Sequence, residues 1–226
     1  MSPFFLCSGK AGYRSGRTKA LDTLIRLEAA YPEAKCALLH ADPFQLLIAT
    51  ILSAQCTDVR VNQVTPLLFR CYPDAARLAA ASKPEIEEII HSTGFFRSKA
   101  KNLIACAKSL VDRHNGEVPD ELLKLIALSG VGRKTANVLL GNAFDIPGMV
   151  VDTHVKRIVY RLGWTEQRDP VKVEKALSRL LPEEKWTKAS HTLIFHGRAV
   201  CKAPTPECSL CCVVKSCPQN GVKRWR

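Results

Sequence analysis

The sequence has no apolar run close to the ~20 residues that a membrane-spanning helix requires, so a membrane protein is not expected. The apolar residues 3–7 are too few for the core of a secretory signal, and no basic residue precedes them. Aromatic residues make up only 7% of the 226 residues, whereas hydrophobic residues, with many alanines and leucines, reach 46%. This balance indicates a well-buried helical core and excludes general disorder.

Acidic residues are scarce. The 21 Asp and Glu residues stand against 33 Lys and Arg, which gives a formal net charge of +12. The surplus lies mainly at the two ends, because residues 1–20 carry +4 and residues 198–226 carry +5. A polyanion such as nucleic acid is a natural partner, since bound cations displace the counterions that condense on phosphates. Charge alone is equally compatible with a role in solubility.

Strands and repeats are not evident either, because no segment alternates apolar and polar residues and no pattern recurs at a fixed period. The sequence therefore predicts an all-α fold after a flexible basic tail at residues 1–17. The first helix is expected to start at Thr18 as N-cap and to stop before Tyr31. Further helices are predicted at 43–52, 58–71, 74–80, 84–91, 97–114, 120–128, 133–143, 153–162, 170–181 and 185–199.

Ten cysteines without a secretory signal fit a reducing cytosol, as core thiols and metal ligands. Four of them, Cys201, Cys208, Cys211 and Cys217, form a C-x6-C-x2-C-x5-C loop that predicts one metal centre. Zinc and a four-iron cluster are both compatible with four thiolates. Zinc sites usually pair two short knuckles across a longer gap, so this spacing favours the cluster slightly. Cys212 adjoins a ligand and is expected to point away.

A hairpin with two glycines joins two predicted helices at Leu128–Ala136. Gly130 and Gly132 permit close backbone approach, so that successive N–H groups can point at one phosphate. Arg133 and Lys134 follow at a helix N-terminus, where the helix dipole disfavours cations. A bound phosphate would compensate for that placement.

Lys134 has two interpretations: a phosphate contact like Arg133, or a nucleophilic amine. The helix N-terminus, the neighbouring guanidinium and partial burial in a cleft would favour the unprotonated amine that a nucleophile needs. Asp152, just before another predicted helix, is most economically an N-cap. Its functional interpretation is a carboxylate that assists proton transfer and stabilises a cationic sugar while a glycosidic bond breaks.

These motifs together resemble the endonuclease III family, bifunctional DNA glycosylases with abasic-site (AP) lyase activity in the helix-hairpin-helix superfamily. The resemblance covers about residues 18–217 and leaves out both basic tails. The motifs that carry it are Leu128–Ala136, Val151–His154, the four-cysteine loop, Leu52–Gln55 with Thr57 and Asp58, and His114–Pro119.

The resemblance implies a six-helix barrel at 36–146 that contains the helix-hairpin-helix. It also implies a second domain of 18–35 and 147–226 that holds a [4Fe–4S] cluster, with DNA in the cleft between them. The expected partner is double-stranded DNA with damaged pyrimidines or abasic sites. The resemblance further implies a monomer in the bacterial cytoplasm, associated with the nucleoid.

The resemblance also assigns residues. Lys134 would attack C1′ of a flipped, oxidised pyrimidine nucleotide and form a Schiff base, and Asp152 would be the essential carboxylate. The hairpin residues that would contact DNA are Gly130, Val131, Gly132 and Arg133. Gln55 would fill the vacated space, and Phe95 would be an intercalating wedge where the family commonly has leucine.

Three features depart from the family or stay ambiguous. Ser129 replaces the usual hairpin proline, which loosens one turn position. Phe95 and Phe96 cannot both be the wedge, and core packing is the alternative for either. Asp58 either lines the active site or caps the 58–71 helix. The competing functions are a mismatch-type glycosylase of the same superfamily and a non-catalytic helix-hairpin-helix DNA-binding protein.

Overall fold

A computed structural model describes residues 16–226, and that part of the chain contains helices and no strand, which confirms the all-α prediction. The α-helices are α1 (Gly16–Ala30), α2 (Pro43–Leu52), α3 (Asp58–Cys71), α4 (Ala75–Ala79), α5 (Lys83–Ile90), α6 (Phe96–His114), α7 (Leu122–Ile126), α8 (Arg133–Ala143), α9 (Thr153–Arg161), α10 (Pro170–Leu180) and α11 (Trp186–Ala199). Short 3-10 helices occupy His91–Thr93, Glu183–Lys185, Cys208–Leu210 and Val214–Ser216. No helix between residues 16 and 226 combines the length and apolar character that crossing a bilayer demands.

Several helices begin where the sequence provides a short polar cap. Asp42 accepts a hydrogen bond from the Gln45 amide at 2.8 Å, and Pro43 follows at the first helical position. Asp169 caps α10 in the same way, with Pro170 next. Because these caps satisfy amides that have no partner inside the helix, the predicted starts of α2 and α10 agree with the structure.

The prediction for α1 is wrong at its start. The helix begins at Gly16, so Thr18 lies inside it and is not the N-cap. The buried stripe of Ala20, Leu24 and Leu27 fixes the helix against its neighbours, and the first turn extends upstream of that stripe. Residues 16 and 17 therefore do not belong to the predicted tail, and the rest of that tail, residues 1–15, lies outside the described residues.

Buried apolar side chains form two separate hydrophobic cores. One core takes its residues from Leu38 to Leu140, and the other combines α1 with residues from Met149 to Val213. Residues 36–146, all of them described, contain seven α-helices, α2–α8, of which α4 and α7 are only five residues long. The chain therefore forms two lobes, and the first and last parts of the described chain share the second one.

Polar contacts join the lobes along α8. Asn137 Nδ2 donates to the Met149 carbonyl at 2.9 Å, and His191 Nε2 lies 2.8 Å from Asn142 Oδ1. Desolvation by burial, with a smaller effect from the Lys188 charge, lowers the pKa of His191 to about 4. The ring is therefore neutral near pH 7. Hydrogen bonds between uncharged groups thus connect the lobes, close to the residues that were predicted to be catalytic.

Candidate active site and DNA-binding surface

Lys134 and Asp152 line the same cleft between the two lobes, which has a volume of about 240 Å³. Lys134 is the second residue of α8, and Asp152 is the N-cap of α9. Gln55 lines this cleft from the first lobe and His191 from the second. Lys134 and Asp152 also line a more open extension of the cleft. Residues from distant parts of the sequence therefore meet where the resemblance places the chemistry.

The Lys134 side chain is exposed, and its amine has no ion pair or hydrogen bond to any residue from 16 to 226. The partial burial expected from the sequence is not seen, because Ala136, Leu139 and Leu140 occupy the buried face of α8 and Lys134 lies on the opposite side. The amine is therefore accessible to a ligand in the cleft.

Asp152 is half-buried, and its Oδ1 accepts a hydrogen bond from the Val155 amide at 2.8 Å. The N-cap interpretation is thus correct for this oxygen. Its other oxygen, Oδ2, has no hydrogen bond to another described residue. The cap fixes the carboxylate at the cleft while one oxygen remains available to a substrate.

The two hairpin glycines have different local requirements. Gly130 has a φ of +79°, and a Cβ there would lie 3.1 Å from Cβ of Asn102, so the fold itself calls for glycine. Gly132 has an ordinary φ of −93°, and a Cβ there would meet no protein atom within 4 Å. No side chain caps α8, so its first amides are left without an intrahelical partner. The hairpin therefore presents open space and amide donors on its outer side.

Arg133 is already paired with a carboxylate. Its Nε and Nη2 donate to both oxygens of Glu174 on α10, at 2.7 to 3.0 Å. These hydrogen bonds raise the pKa of Arg133. Sequence reasoning had assigned this guanidinium to phosphate, and it did not anticipate the partner, which lies 41 positions away.

Gln55 and Phe95 share an unusual backbone conformation. Both are exposed, and both lie in the left-handed region, with φ of 52° and 48°. Phe95 is 66% exposed, whereas Phe96 packs against the first core with its ring 4.5 Å from that of His91. The structure therefore separates two adjacent phenylalanines that the sequence left equivalent.

Asp58 lines the cleft but does not cap its helix. Thr57 is the N-cap of α3, and its hydroxyl accepts from the Arg60 amide at 3.2 Å. Asp58 instead pairs with Arg198, with 3.0 Å between Nη2 and Oδ2. Sequence reasoning missed Arg198 and His191 as cleft residues, because no local motif marks a contact across 140 positions.

The four cysteines of the predicted metal loop, Cys201, Cys208, Cys211 and Cys217, line one apolar cavity in the second lobe. The adjacent Cys212 is exposed and does not line it. Burial raises the pKa of Cys211 to about 11, so this thiol is protonated at neutral pH unless a metal binds it.

Three nitrogen atoms face the cavity's sulfur atoms. Arg161 Nη1 lies 3.3 Å from Cys201 Sγ, the Gln219 amide 3.4 Å from Cys217 Sγ, and His196 Nε2 3.7 Å from Cys211 Sγ. Arg161 and Gln219 are donors, and donors of this kind stabilise thiolates. Within residues 16–226, no three His, Cys, Asp or Glu side chains lie close enough together to hold a single metal ion. A four-iron cluster holds its thiolates farther apart than a single ion does, so thiols spread around one cavity fit a cluster better than zinc.

Residues 48–183 match the model of the HhH-GPD superfamily of base excision DNA repair proteins. The chain is 51% identical over 205 residues to endonuclease III of Synechocystis sp., covering 90% of this chain and 94% of that protein. It is 45% identical over 195 residues to endonuclease III of Bacillus subtilis, covering 86% and 89%. The chain belongs to the endonuclease III family. It is thus a base-excision-repair DNA glycosylase and lyase, as the resemblance predicted.

The architecture agrees with solved members of the family. The structure of a non-covalent endonuclease III–DNA complex superposes with a TM-score of 0.86 at 42% identity, covering 90% of this chain and 95% of that one. A trapped endonuclease III–DNA covalent intermediate gives the same TM-score and identity. The helix-hairpin-helix glycosylase fold is therefore confirmed.

Proposed function

We propose that this protein removes oxidised pyrimidines from duplex DNA and then cuts the strand, with Lys134 as nucleophile and Asp152 as the essential carboxylate. The observation that carries the proposal is that an unpaired amine and a carboxylate with one free oxygen line one cleft. Base excision needs both groups at the same sugar.

The chemistry starts with attack of the neutral Lys134 amine on C1′ of the damaged nucleotide. The C1′–N bond breaks, its electron pair leaves with the base, and the base takes up a proton. The carboxylate of Asp152 stabilises the positive charge that develops on the sugar and accepts a proton from the lysine nitrogen. The C1′–O4′ bond of the sugar then breaks, O4′ takes up a proton, and C1′ and the Lys134 nitrogen form a Schiff base. This Schiff base acidifies the C2′ proton, whose loss expels the 3′ phosphate, and water then releases Lys134.

The nucleotide must leave the base stack, because the cleft residues cannot reach C1′ inside a duplex. Ile194, Phe195 and Val138 provide apolar surface in the cleft where the extruded base would lie. Gln55 then fills the vacated position as a polar partner for the orphaned base, and Phe95 enters the stack as an apolar wedge. Left-handed backbone in both non-glycine residues supports this role, since such strain is retained where function requires it.

The hairpin holds the phosphate backbone. The uncapped amides of α8 donate to one phosphate, with Gly130, Val131 and Gly132 forming the turn. Open space outside Gly132 lets the phosphate approach the backbone closely. Since Glu174 already binds Arg133, the backbone amides rather than that guanidinium provide the main contact.

Cys201, Cys208, Cys211 and Cys217 would hold a [4Fe–4S] cluster, and their placement around one apolar cavity fits such a group. When bound, the cluster would supply a rigid, thiolate-linked framework for the basic loop 198–217. Arg161 fixes this loop further through hydrogen bonds to the carbonyls of Cys201 and Lys202 at 3.2 and 2.8 Å. No bond-cleavage step is assigned to the cluster.

Borohydride reduction of a mixture with abasic duplex DNA tests the mechanism, because it converts the Schiff base into a stable covalent adduct. We expect an adduct with the wild-type protein and none with Lys134→Ala. Lys156→Ala is the matched control, since Lys156 lines the open extension of the same cleft and should leave trapping intact. An adduct that persists in Lys134→Ala would refute the assignment, and absence of any wild-type adduct would refute the Schiff-base mechanism.

A further inference from the structure

Lys99 on α6 is a buried cation that the proposed mechanism does not use. The residue is only 4% exposed, and its Nζ donates to the carbonyl of Thr93 at 2.8 Å. Among residues 16–226, no carboxylate lies within ion-pairing distance of the Lys99 ammonium group. Burial lowers the pKa of Lys99. A methionine of similar length would avoid the cost of burying an ammonium group. Retention of the lysine therefore calls for a function.

Thr93 is the first residue of the wedge turn, which we define as residues 93–96. Gly94 and Phe95 are consecutive residues with positive φ, at 69° and 48°. The Lys99 amide donates to the Phe95 carbonyl at 3.0 Å, so Lys99 bonds to both ends of this left-handed pair. The backbone that presents the exposed Phe95 ring is thus held by one side chain and one amide of the same residue.

The same face of α6 also supports the phosphate-binding hairpin. Asn102 lies one turn after Lys99, a spacing that places two residues on one side of a helix. Its Oδ1 accepts a hydrogen bond from Ser129 Oγ at 3.2 Å, and its side chain packs against Gly130. α6 therefore fixes the separation between the wedge turn and the hairpin.

The second proposed wedge lies close to the same lysine. Cys56, which follows Gln55, lies near Lys99 and packs against the first core. α2, which leads into the Gln55 loop, packs against α6. Lys99 is thus located where the loops that carry Gln55 and Phe95 meet.

We infer that Lys99 is a positioning residue for nucleotide flipping. By anchoring the Thr93 carbonyl it holds Phe95 at a fixed distance from the hairpin, so that the ring enters the stack when the phosphate is bound. The inference rests on the proposed function of Lys134 and Phe95. It assigns Lys99 to the step that opens the duplex and not to bond cleavage.

Comparison of duplex and single-stranded substrates tests this role, because abasic single strands need no flipping. Lys99→Met should lower excision of an oxidised pyrimidine from duplex DNA about tenfold, as expected for loss of a hydrogen bond from a charged donor. Borohydride trapping on a single-stranded abasic oligonucleotide should be unchanged. Absence of any wild-type adduct on abasic duplex DNA would refute the proposed function, whereas the inference about Lys99 depends on the ratio of variant to wild-type activity on each of the two substrates.

A double variant tests whether the loss of excision in Lys99→Met acts through Phe95. If Lys99 acts through the wedge, Phe95→Ala with Lys99→Met should excise no more slowly than Phe95→Ala alone. The inference would be overturned if Lys99→Met lost activity equally on both substrates or kept full excision on duplex DNA. It would also be overturned if the losses in excision of the two single variants multiplied in the double variant. Should Lys99→Met fail to fold, Lys99→Gln, which is smaller and keeps a neutral donor, replaces it, and its duplex excision should also fall selectively.

Discussion

Arg133 Nη2 lies 2.7 Å from Glu174 Oε1, and this ion pair connects the hairpin at the start of α8 to α10 in the other lobe. The guanidinium of Arg133 is about one-third exposed, while the Glu174 side chain is mostly covered. The pair therefore holds the hairpin against the second lobe and cancels a positive charge on the DNA-facing surface. In the free protein the cation nearest to Gly132 in sequence is not available to a phosphate.

Removal of the Glu174 charge should release Arg133 to bind DNA. We expect Glu174→Gln to bind undamaged duplex more tightly at low salt, because a freed cation displaces counterions from a phosphate. The slope of log K against log salt should steepen by about 0.9 if one phosphate contact is gained. Fluorescence anisotropy titrations at several salt concentrations measure both quantities.

The matched control is Glu166→Gln, which changes net charge equally at an exposed position between α9 and α10. It should alter affinity less than Glu174→Gln does. Weaker binding by Glu174→Gln would mean that the ion pair orders the hairpin for DNA, and that loss of this order outweighs the released charge.

The hairpin glycines should respond differently to the same substitution. Gly130→Ala should lower the free energy of unfolding by about 1–2 kcal/mol, because alanine is strained at positive φ and would crowd Asn102. Gly132→Ala should fold with unchanged stability and bind duplex DNA about tenfold more weakly, since the methyl group would occupy the space of a phosphate. Urea denaturation and anisotropy separate these effects. Unchanged DNA affinity in Gly132→Ala would contradict the proposed phosphate position.

The sequence was sufficient for the features that depend on local signals. Pro43 and Asp42 fixed the start of α2, and the cysteine spacing predicted the loop whose thiols line one cavity. Family resemblance brought Lys134 and Asp152 to one cleft, although 18 positions of chain separate them. In each of these cases the determining residues lie in one short motif, or the family supplies the spatial arrangement.

Contacts between residues that are far apart in the chain could not be predicted from the sequence. Glu174 could not be predicted as the partner of Arg133. The choice between Phe95 and Phe96 needed the turn that exposes Phe95 and leaves Phe96 partly buried against the first core. The same limit applies to Asp58, for which the sequence left a cleft position and a helix cap open, and whose ion pair with Arg198 no local motif indicates. Such pairs depend on how helices pack, and no local pattern encodes that packing.

Asp152 combines a structural and a proposed catalytic role, which two substitutions can separate. Asp152→Asn should retain stability, because asparagine caps helices as well as aspartate, yet lose base excision by about a hundredfold or more. Asp152→Ala should lose excision similarly and also about 1 kcal/mol of stability with the cap. Single-turnover excision and urea denaturation give the two readouts. Full excision by Asp152→Asn would leave the residue as a helix cap alone.

The cysteine loop contains both proposed cluster ligands and a thiol that is not a ligand, so the two kinds of cysteine can be compared by the same substitution. Cys208→Ser should lose iron and the broad visible absorption of a cluster, and should lower the free energy of unfolding on the order of 3 kcal/mol. Cys212→Ser should keep both, because that thiol is exposed and lies outside the cavity. A wild-type protein that is colourless and contains zinc would refute the cluster, but the four cysteines would still be assigned as metal ligands.

Acid should destabilise the protein through His191, which is half-buried and neutral in the cleft. Its pKa is lowered to about 4 in the folded state, mainly by desolvation, from 6.5 in the unfolded chain. Between these values the unfolded chain binds the additional proton, so the stability contributed by neutral His191 is full above pH 6.5 and is lost as pH falls toward 4. The loss should reach up to about 3 kcal/mol, at about 1.4 kcal/mol per pH unit.

His191→Gln isolates this contribution, because glutamine still donates to Asn142 Oδ1 but does not titrate. The free energy of unfolding, measured in urea at pH 7, 6, 5 and 4.5, should fall less steeply in the variant than in the wild-type protein. Other titrating groups, including buried His196, contribute equally to both chains and cancel in the difference. Parallel pH profiles would show that His191 has the same pKa in both states, and that water reaches the lobe junction beside α8.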